Sequence, residues 1–284
     1  MAGTLFVVAT PIGNLGDLTA RAAEVLRAVP HVAAEDTRRA RVLLDHIGVG
    51  TKPQSLPAFD ERGRADSVLA PVVAGEDLAL VTDAGTPAIS DPGGALVARA
   101  VELGINVVPI PGACAAIAAV SVAALPTDRF VFLGFLPRKG QGRARLLERL
   151  RTLPMAVVLY ESPHRIAETC ADLAEAWGDR RAFVARELTK LHEELLRGSL
   201  SELSTRLGQG EVKGEIVLVV EGAPESAEVD ALSPEALEAE IRRQLAAGDK
   251  PIKEIARTLA EALGRPRKEI YELALKLSGK TSRA

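Results

Sequence analysis

The chain has 284 residues, of which 47% are hydrophobic and only 3% aromatic, and its formal net charge is −3 at pH 7. This length and apolar content suffice for two domains with aliphatic cores. The slightly acidic balance argues against a protein that coats nucleic acid with its whole surface, but it permits local basic patches.

The cysteines and histidines show no pattern typical of metal or disulfide sites. Cys114 and Cys170 are far apart, and the four histidines are scattered, so neither a zinc site nor a disulfide framework is expected. The N-terminal apolar run stops at Pro11, and no stretch reaches the ~20 apolar residues of a membrane span. We therefore expect a soluble, cytoplasmic protein with no signal peptide, no membrane partner and no metal.

The N-terminal part of the chain alternates short β-branched runs with segments of helical periodicity. This alternation is typical of a sheet covered by helices. Strands are predicted at 5–10, 32–36, 78–83 and 106–110, and helices at 18–29, 37–47 and 93–103.

The same alternation continues in the middle of the chain, so we predict two α/β domains, residues 1–112 and 113–223. In the second domain, helices are predicted at 113–124, 140–152 and 164–177, and strands at 130–135, 156–162, 182–188 and 215–222.

The C-terminal part differs in composition. Residues 224–234 are polar and acidic with prolines, which is typical of a linker. Apolar residues at helical spacing then predict a helical extension over 235–284, with helices at 234–247, 250–263 and 266–278. The short break before the last helix permits a helix-turn-helix, which would contact nucleic acid or pack on the body or on a second subunit.

Three loops rich in glycine and proline follow predicted strands, at 9–19, 82–93 and 109–116. Ligands of open α/β sheets collect at the carboxyl ends of strands, so these loops together are the candidate binding site, although any one of them alone would favour an ordinary turn. Neither GxGxxG after the first strand nor GxxxxGK[ST] occurs. The usual phosphate cradles are therefore absent, which favours a ligand without phosphates.

Seven strings occur in this order along the chain: ATPIGNLGDLT, AAEDTRRARVLL, VTDAGTPAISDPG, PIPGACAAIAA, YESPHRI, RELTKLHEE and GEIVLVVEG. They resemble those of the tetrapyrrole-methylase-like S-adenosylmethionine methyltransferases, and within them the group that methylates ribosomal RNA. The resemblance covers about residues 4–222, and the C-terminal helices resemble the helix-turn-helix extension of that group. It implies two α/β domains with the methyl donor between them, a homodimer, and 2′-O-methylation of a cytidine in the decoding region of small-subunit rRNA, free or assembled.

The resemblance also implies a donor site. Gly85-Thr86-Pro87 stands where tetrapyrrole methylases have Gly-Asp-Pro, so either Asp83 or a backbone group takes the contact of the missing carboxylate. Cys114 is then a small residue of the cleft rather than a nucleophile. The positions at or near the donor are Pro11, Asp83, Gly85, Thr86, Ile89, Cys114, Ala115, Tyr160, Leu188, Glu215 and Ile216.

Charged residues near the predicted cleft have two interpretations. Glu35 or Asp36 is a candidate general base, because a ribose hydroxyl is a poor nucleophile until its proton leaves. Alternatively, Asp36 caps a helix that begins with a solvated charge run. The candidate RNA-binding residues, which would position phosphates rather than read bases, are Arg38, Arg39, Arg41, Arg138, Lys139, Arg165, Arg186 and Lys190.

Two other functions remain open at this point. A tetrapyrrole C-methyltransferase would use the same fold on a porphyrinoid, but the basic stretches and the C-terminal helices count against it. A non-catalytic nucleic-acid-binding regulator built around the C-terminal helices would leave the cleft loops without a role. Binding of S-adenosylhomocysteine would separate the regulator from the two enzymes.

Overall fold

The computed structural model describes residues 2–224, 234–247, 251–263 and 266–278. The chain divides into two compact units, one of residues 1–148 and 155–221 and the other of 149–154 and 222–284. Nearly all of the predicted linker, and the Gly264-Arg265 break, lie outside the described residues.

The first sheet has five parallel strands in the order β3-β2-β4-β1-β5. Every residue of β4 is buried, as expected of a central parallel strand covered on both faces. Its strands are β1 (Thr4–Val8), β2 (His31–Ala34), β3 (Gln54–Ser55), β4 (Leu78–Val81) and β5 (Asn106–Ile110). Its helices are α1 (Ala20–Ala28), α2 (Thr37–His46), α3 (Glu61–Val73) and α4 (Gly94–Glu102).

Alternate residues of these strands pack on opposite faces of the sheet. Val8 and Val81 join α1 and α2 in one apolar cluster, whereas Leu5 and Leu80 join α3 and α4 in another. Since successive side chains of a strand point to opposite faces, this alternation fixes the layers and leaves the carboxyl ends of the strands to the loops.

The second sheet is mixed, in the order β6-β7-β10-β8-β9. Only the β6–β7 pair is parallel among its neighbouring strands. Helix α5 packs with β7, β8 and β10 in a third apolar cluster. The strands are β6 (Phe130–Phe135), β7 (Ala156–Glu161), β8 (Arg181–Arg186), β9 (Glu194–Ser199) and β10 (Ile216–Val220), and the helices are α5 (Ala115–Val122), α6 (Gln141–Leu150), α7 (Ile166–Trp177) and α8 (Leu200–Gly208).

The second unit contains three described helices, α9 (Pro234–Ala247), α10 (Ile252–Leu263) and α11 (Arg267–Leu277). Their apolar positions recur at helical spacing, and the side chains form a small core of their own. None of the described helices is long and apolar enough to cross a membrane. The core residues are Leu237, Ile241, Ile255, Ala256, Leu259, Ala260, Ile270 and Ala274.

Four elements were not predicted from the sequence: β3, α3, β9 and α8. Helix α3 contains Gly63 and Pro71, which are unfavourable in a helix, and it forms because its apolar residues are buried beside the first sheet. Strand β9 is a polar edge strand that pairs only with β8. Helix α8 carries a recognisable signal, since Ser199 and Glu202 form a capping box at its start.

Candidate active site

A cavity of about 430 Å³ lies in the first unit, where the carboxyl ends of strands from both sheets meet. Its volume falls in the range of about 300–1,000 Å³ that is typical of small-molecule sites. The lining residues are Ile12, Glu35, Arg39, Asp83, Ala84, Gly85, Thr86, Ile89, Ser90, Asp91, Cys114, Ala115, Phe135, Tyr160, Glu161, Ser162, Pro163, Ala185, Leu188, Gly214, Glu215, Ile216 and Val217.

Hydrogen bonds tie the three glycine- and proline-rich loops together at this cavity. Thr10 N donates to Gly85 O at 2.8 Å, and Gly85 N donates back to Thr10 O at 3.1 Å. The Thr86 hydroxyl donates to Ala113 O in the third loop at 3.3 Å. Thr86 therefore joins two loops, and the carboxylate nearest to it in the sequence is Asp83.

The second loop holds a conformation that few residues adopt. Gly85 has φ +80°, and Ala88 and Ser90 have φ +68° and +65° without being glycine. Such non-glycine residues cost about 1–3 kcal/mol each and persist where the surroundings fix them. One fixing contact is the Glu61 carboxylate, which accepts hydrogen bonds from Gly93 N and Leu96 N at 3.0 and 2.9 Å. Contacts within the protein thus hold the loop in this conformation.

Carboxylates form one side of the cavity. Asp83 Oδ1 accepts a hydrogen bond from Asp36 N at 3.1 Å, and Asp83 Oδ2 lies 3.5 Å from Arg39 Nε. Burial raises the pKa of Glu35, and the neighbouring charges of Asp83 and Asp91 raise it further. Burial also raises the pKa of Asp91. The cavity therefore has an acidic side that favours a cation.

Asp36 has a different role from its neighbour Glu35. It is the N-cap of α2, with its side chain accepting from Arg38 N at 2.8 Å. Hydrogen bonds from the Arg38 guanidinium and backbone lower the pKa of Asp36 to about 2. Asp36 thus caps helix α2, which was the second interpretation of this residue from the sequence.

The three arginines of α2 lie in different environments. Arg38, with 89% of its side chain exposed, is paired with Asp36 at 2.6 Å. Arg41 is paired with Asp45, whereas Arg39 lines the cavity. The structure therefore brings one of the three guanidinium groups into the cavity wall.

The opposite wall comes from the end of β7. Tyr160 is partly buried, and this burial is the main reason that the pKa of its phenol is raised to about 12. The Glu161 side chain is only 1% exposed, and it accepts hydrogen bonds from Ser162 N and Thr169 Oγ1, both at 2.7 Å. Arg165 Nη2 lies 3.3 Å from the same carboxylate. Arg165, a predicted RNA contact, is therefore paired inside the protein.

Lys190 joins two parts of the first unit. Its Nζ donates to Glu187 Oε1 at 2.8 Å and to Glu215 Oε2 at 3.1 Å. Its side chain also covers Gly13, because a Cβ at residue 13 would lie 2.4 Å from Lys190 Cγ. Arg186 is likewise paired, with Glu194 at 3.0 Å.

The predicted donor-binding residues lie together, since all of them except Pro11 line the cavity. Arg138 and Lys139 are exposed and lie outside its wall. Sequence reasoning missed several lining residues. Phe135 is the last residue and Glu161 the last but one of a predicted strand, and this position near a strand end is the signal by which they could be found. Among the described residues, no group of three or more His, Cys, Asp or Glu is arranged to hold a metal ion. Predicted residues outside the wall are Pro11, Asp36, Arg38, Arg41, Arg138, Lys139, Arg165, Arg186 and Lys190.

Comparison with known proteins identifies the family. Residues 4–204 match the model of the tetrapyrrole (corrin/porphyrin) methylases. The chain belongs to the tetrapyrrole methylase family. This membership confirms the predicted family, enzyme class and methyl donor.

The relatives found are similar along nearly the whole chain. Ribosomal RNA small subunit methyltransferase I of Pseudomonas aeruginosa is 45% identical over 99% of this chain and 99% of its own length. The protein of the same name in Synechocystis sp. is 46% identical over 97% of this chain and 98% of its own.

Solved structures of tetrapyrrole methylases and related enzymes share the fold. Uroporphyrin III C-methyltransferase of Thermus thermophilus, complexed with S-adenosyl homocysteine, has a TM-score of 0.58 at 16% identity and covers 77% of this chain and 97% of its own. Diphthine synthase has a TM-score of 0.61 at 15% identity, covering 77% and 90%. The predicted fold class is confirmed.

Proposed function

We propose that the protein transfers the methyl group of S-adenosylmethionine to the 2′-oxygen of a cytidine ribose in the decoding region of small-subunit rRNA. The observation that carries this proposal is the similarity to ribosomal RNA small subunit methyltransferases I, which extends over 95–99% of the chain in the nearly full-length matches. The uroporphyrin and diphthine enzymes cover only 77%. A porphyrinoid substrate is therefore the less favoured alternative.

The cavity fits the methyl donor chemically. S-adenosylmethionine carries a sulfonium and an amine but no phosphate, and the cavity offers Asp83 and Asp91 beside aliphatic side chains such as Leu188 and Ile216. When bound, the donor supplies an electrophilic methyl group on a positively charged sulfur. The loops, which are hydrogen-bonded to one another, restrict the orientation of whatever occupies the cavity.

We propose Glu35 as the general base and Asp36 as its structural neighbour. A base must be able to accept the proton of the ribose hydroxyl, and Glu35 lines the cavity with a raised pKa. Asp36 is held ionised by Arg38, with a pKa of about 2, so it is a much weaker base. The Asp36 backbone also anchors Asp83 through the 3.1 Å hydrogen bond.

RNA phosphates would meet the basic residues around the cavity. Arg39 stands in the cavity wall, and Arg38 and Arg41 are on the same helix. Arg138 and Lys139 are exposed just before α6. We assign weaker contributions to the remaining candidates, because their side chains are only 22–27% exposed and are paired with carboxylates, whereas the side chains of the three α2 arginines are 40–89% exposed. These are Arg165, Arg186 and Lys190.

The wider organisation follows from the same proposal. We propose two α/β domains, residues 1–112 and 113–223, a linker at 224–234 and a helical extension over 235–284, in a homodimer. Because small-subunit rRNA is the substrate, the enzyme acts in the cytoplasm, either on free rRNA or on the assembled subunit.

A panel of substrates tests this function. The purified protein is mixed with radiolabelled S-adenosylmethionine and, separately, with naked small-subunit rRNA, assembled small subunits that lack the modification, and a porphyrinogen. We expect label in one of the two RNA substrates and none in the porphyrinogen. Label in the porphyrinogen alone would reverse the assignment, and failure to bind S-adenosylhomocysteine would favour a non-catalytic regulator.

A further inference from the structure

Phe135 places a largely exposed aromatic ring at the cavity, and contacts within the protein do not explain this exposure. It ends β6, lines the cavity and is 57% exposed. Aromatic residues make up only 3% of the chain, which is too few for an extended stacking platform, but a single ring at a cavity needs no platform. The question is what directs a large apolar side chain to this position.

A bulge in β6 directs the ring. Phe132 pairs with Val158 and Phe135 with Tyr160, so β6 advances three residues while β7 advances two. Residues three apart on a regular strand point to opposite faces. Here both rings contact Tyr160 edge-on, with centroids 4.9 and 5.8 Å away. The extra residue therefore places Phe135 on the same face of the sheet as Tyr160. Bulges beside active sites often redirect a side chain in this way.

Gly134 makes this bulge possible. It has φ +63°, and a Cβ there would lie 2.8 Å from Ser90 Oγ. The positive φ favours glycine at residue 134, and a Cβ there would force the Ser90 hydroxyl to move. Ile89, Ser90 and Phe135 all line the cavity, and Ile89 is 41% exposed.

We propose that Phe135 stacks on the base of the target nucleotide and so holds its ribose at the cavity. This inference rests on the proposed function and adds a nucleobase subsite to it. Every base has a π-face, and an aromatic ring at a protein surface provides a flat partner that is exposed until the base arrives. Tyr160 supports the ring from its edge, which fixes its orientation before RNA binds.

Steady-state methyl transfer to small subunits tests the subsite in Phe135→Ala, Phe135→Leu and Phe135→Trp. Loss of one stacked base corresponds to a fall of about 5- to 150-fold in kcat/KM in the Ala variant. The Trp variant should recover most of the activity, whereas Leu, which is apolar but not flat, should not. The affinity for S-adenosylhomocysteine should stay within about twofold of wild type in all three. Phe59→Ala is the matched control, because Phe59 is 91% exposed and does not line the cavity.

The outcomes separate the subsite from the function. If Phe135→Ala or Phe135→Leu keeps wild-type kcat/KM, or if Phe59→Ala loses as much, stacking at Phe135 is wrong while the methyltransferase stands. A parallel loss of S-adenosylhomocysteine affinity assigns the ring to the donor instead and overturns the proposal. If the wild-type protein transfers no label to small subunits or rRNA, the proposed function and the subsite fall together.

Discussion

Glu35 and Asp36 are adjacent in the sequence, but their surroundings shift their pKa values in opposite directions. Burial and the nearby carboxylates raise the pKa of Glu35, whereas Arg38 lowers that of Asp36 to about 2. A base functions in its ionised form, so the methyl-transfer rate is expected to fall as pH falls through the raised pKa of Glu35. This acidic limb should lie at a higher pH than an unperturbed carboxyl would give.

Glu35→Gln tests this assignment directly. We expect kcat to fall by about 10²- to 10⁴-fold and the acidic limb to disappear, with S-adenosylhomocysteine affinity retained. Asp36→Asn is the control, since Asn also caps helices well and the variant should keep most of the activity. If the Asp36 variant loses the larger share of kcat, Asp36 is the base.

Gly85 has a backbone conformation that favours glycine, and it also lines the space proposed for the methyl donor. It has φ +80° and lines the cavity, so Gly85→Val is expected to weaken S-adenosylhomocysteine binding at least about tenfold by strain and by filling the site. Titration calorimetry measures this. Gly104→Val provides the comparison, because Gly104 has φ +69° with no atom within 4 Å of a Cβ. Equal donor affinity in the two folded variants would contradict the placement of Gly85.

At the scale of elements, α2 separates its three arginines. Arg39→Gln is expected to lower RNA affinity and to reduce the slope of log K against log salt by about 0.7–0.9. Arg38→Ala and Arg41→Ala, singly and together, should have smaller effects, because neither residue lines the cavity and Arg38 lies closer to its carboxylate than Arg39 does, at 2.6 Å from Asp36 against 3.5 Å from Asp83. Filter binding at several salt concentrations measures these slopes. A double variant that loses more than Arg39→Gln would place the main phosphate contacts on the outer face of α2.

We propose that the segment between β8 and β9, whose Leu188 lines the cavity, supports the cavity wall more than it contacts RNA. Lys190 bonds Glu187 and Glu215, and these bonds outweigh the effect of burial and raise its pKa. Lys190→Met is therefore expected to weaken donor binding several-fold and to leave the salt dependence of RNA binding unchanged. Lys139→Met should do the reverse. A reduced salt slope in Lys190→Met with normal donor affinity would restore Lys190 as an RNA contact.

Elements differ in how far the sequence predicts them. The buried strands β1, β4 and β10 are β-branched or aliphatic runs, and their periodicity is visible without tertiary information. Helix α3 could not be predicted in this way, because its Gly63 and Pro71 are tolerated only through burial against the sheet. The loops of the site were predicted from strand ends. The place of Phe135 at the end of β6 is visible in the sequence, but the face of the sheet on which its ring lies depends on the register between β6 and β7, which no local pattern contains.

At the scale of the whole molecule, those residues of the described part of the chain that line the cavity all belong to the first unit, between positions 12 and 217. A chain ending at residue 224 is therefore expected to bind S-adenosylhomocysteine as the full chain does. Calorimetry on both chains measures this, with circular dichroism to verify folding. A folded short chain with weakened donor binding would show that the C-terminal helices contribute to the donor site.

The central claim is 2′-O-methylation of small-subunit rRNA, and mapping the transferred methyl group tests it most directly. Small subunits that lack the modification are labelled with radioactive S-adenosylmethionine, and the rRNA is digested to nucleosides. The account predicts label in one 2′-O-methylcytidine of the decoding region, and none when Glu35→Gln replaces the wild-type protein. Label on a base, at a ribose outside the decoding region, or in no nucleoside at all would contradict it.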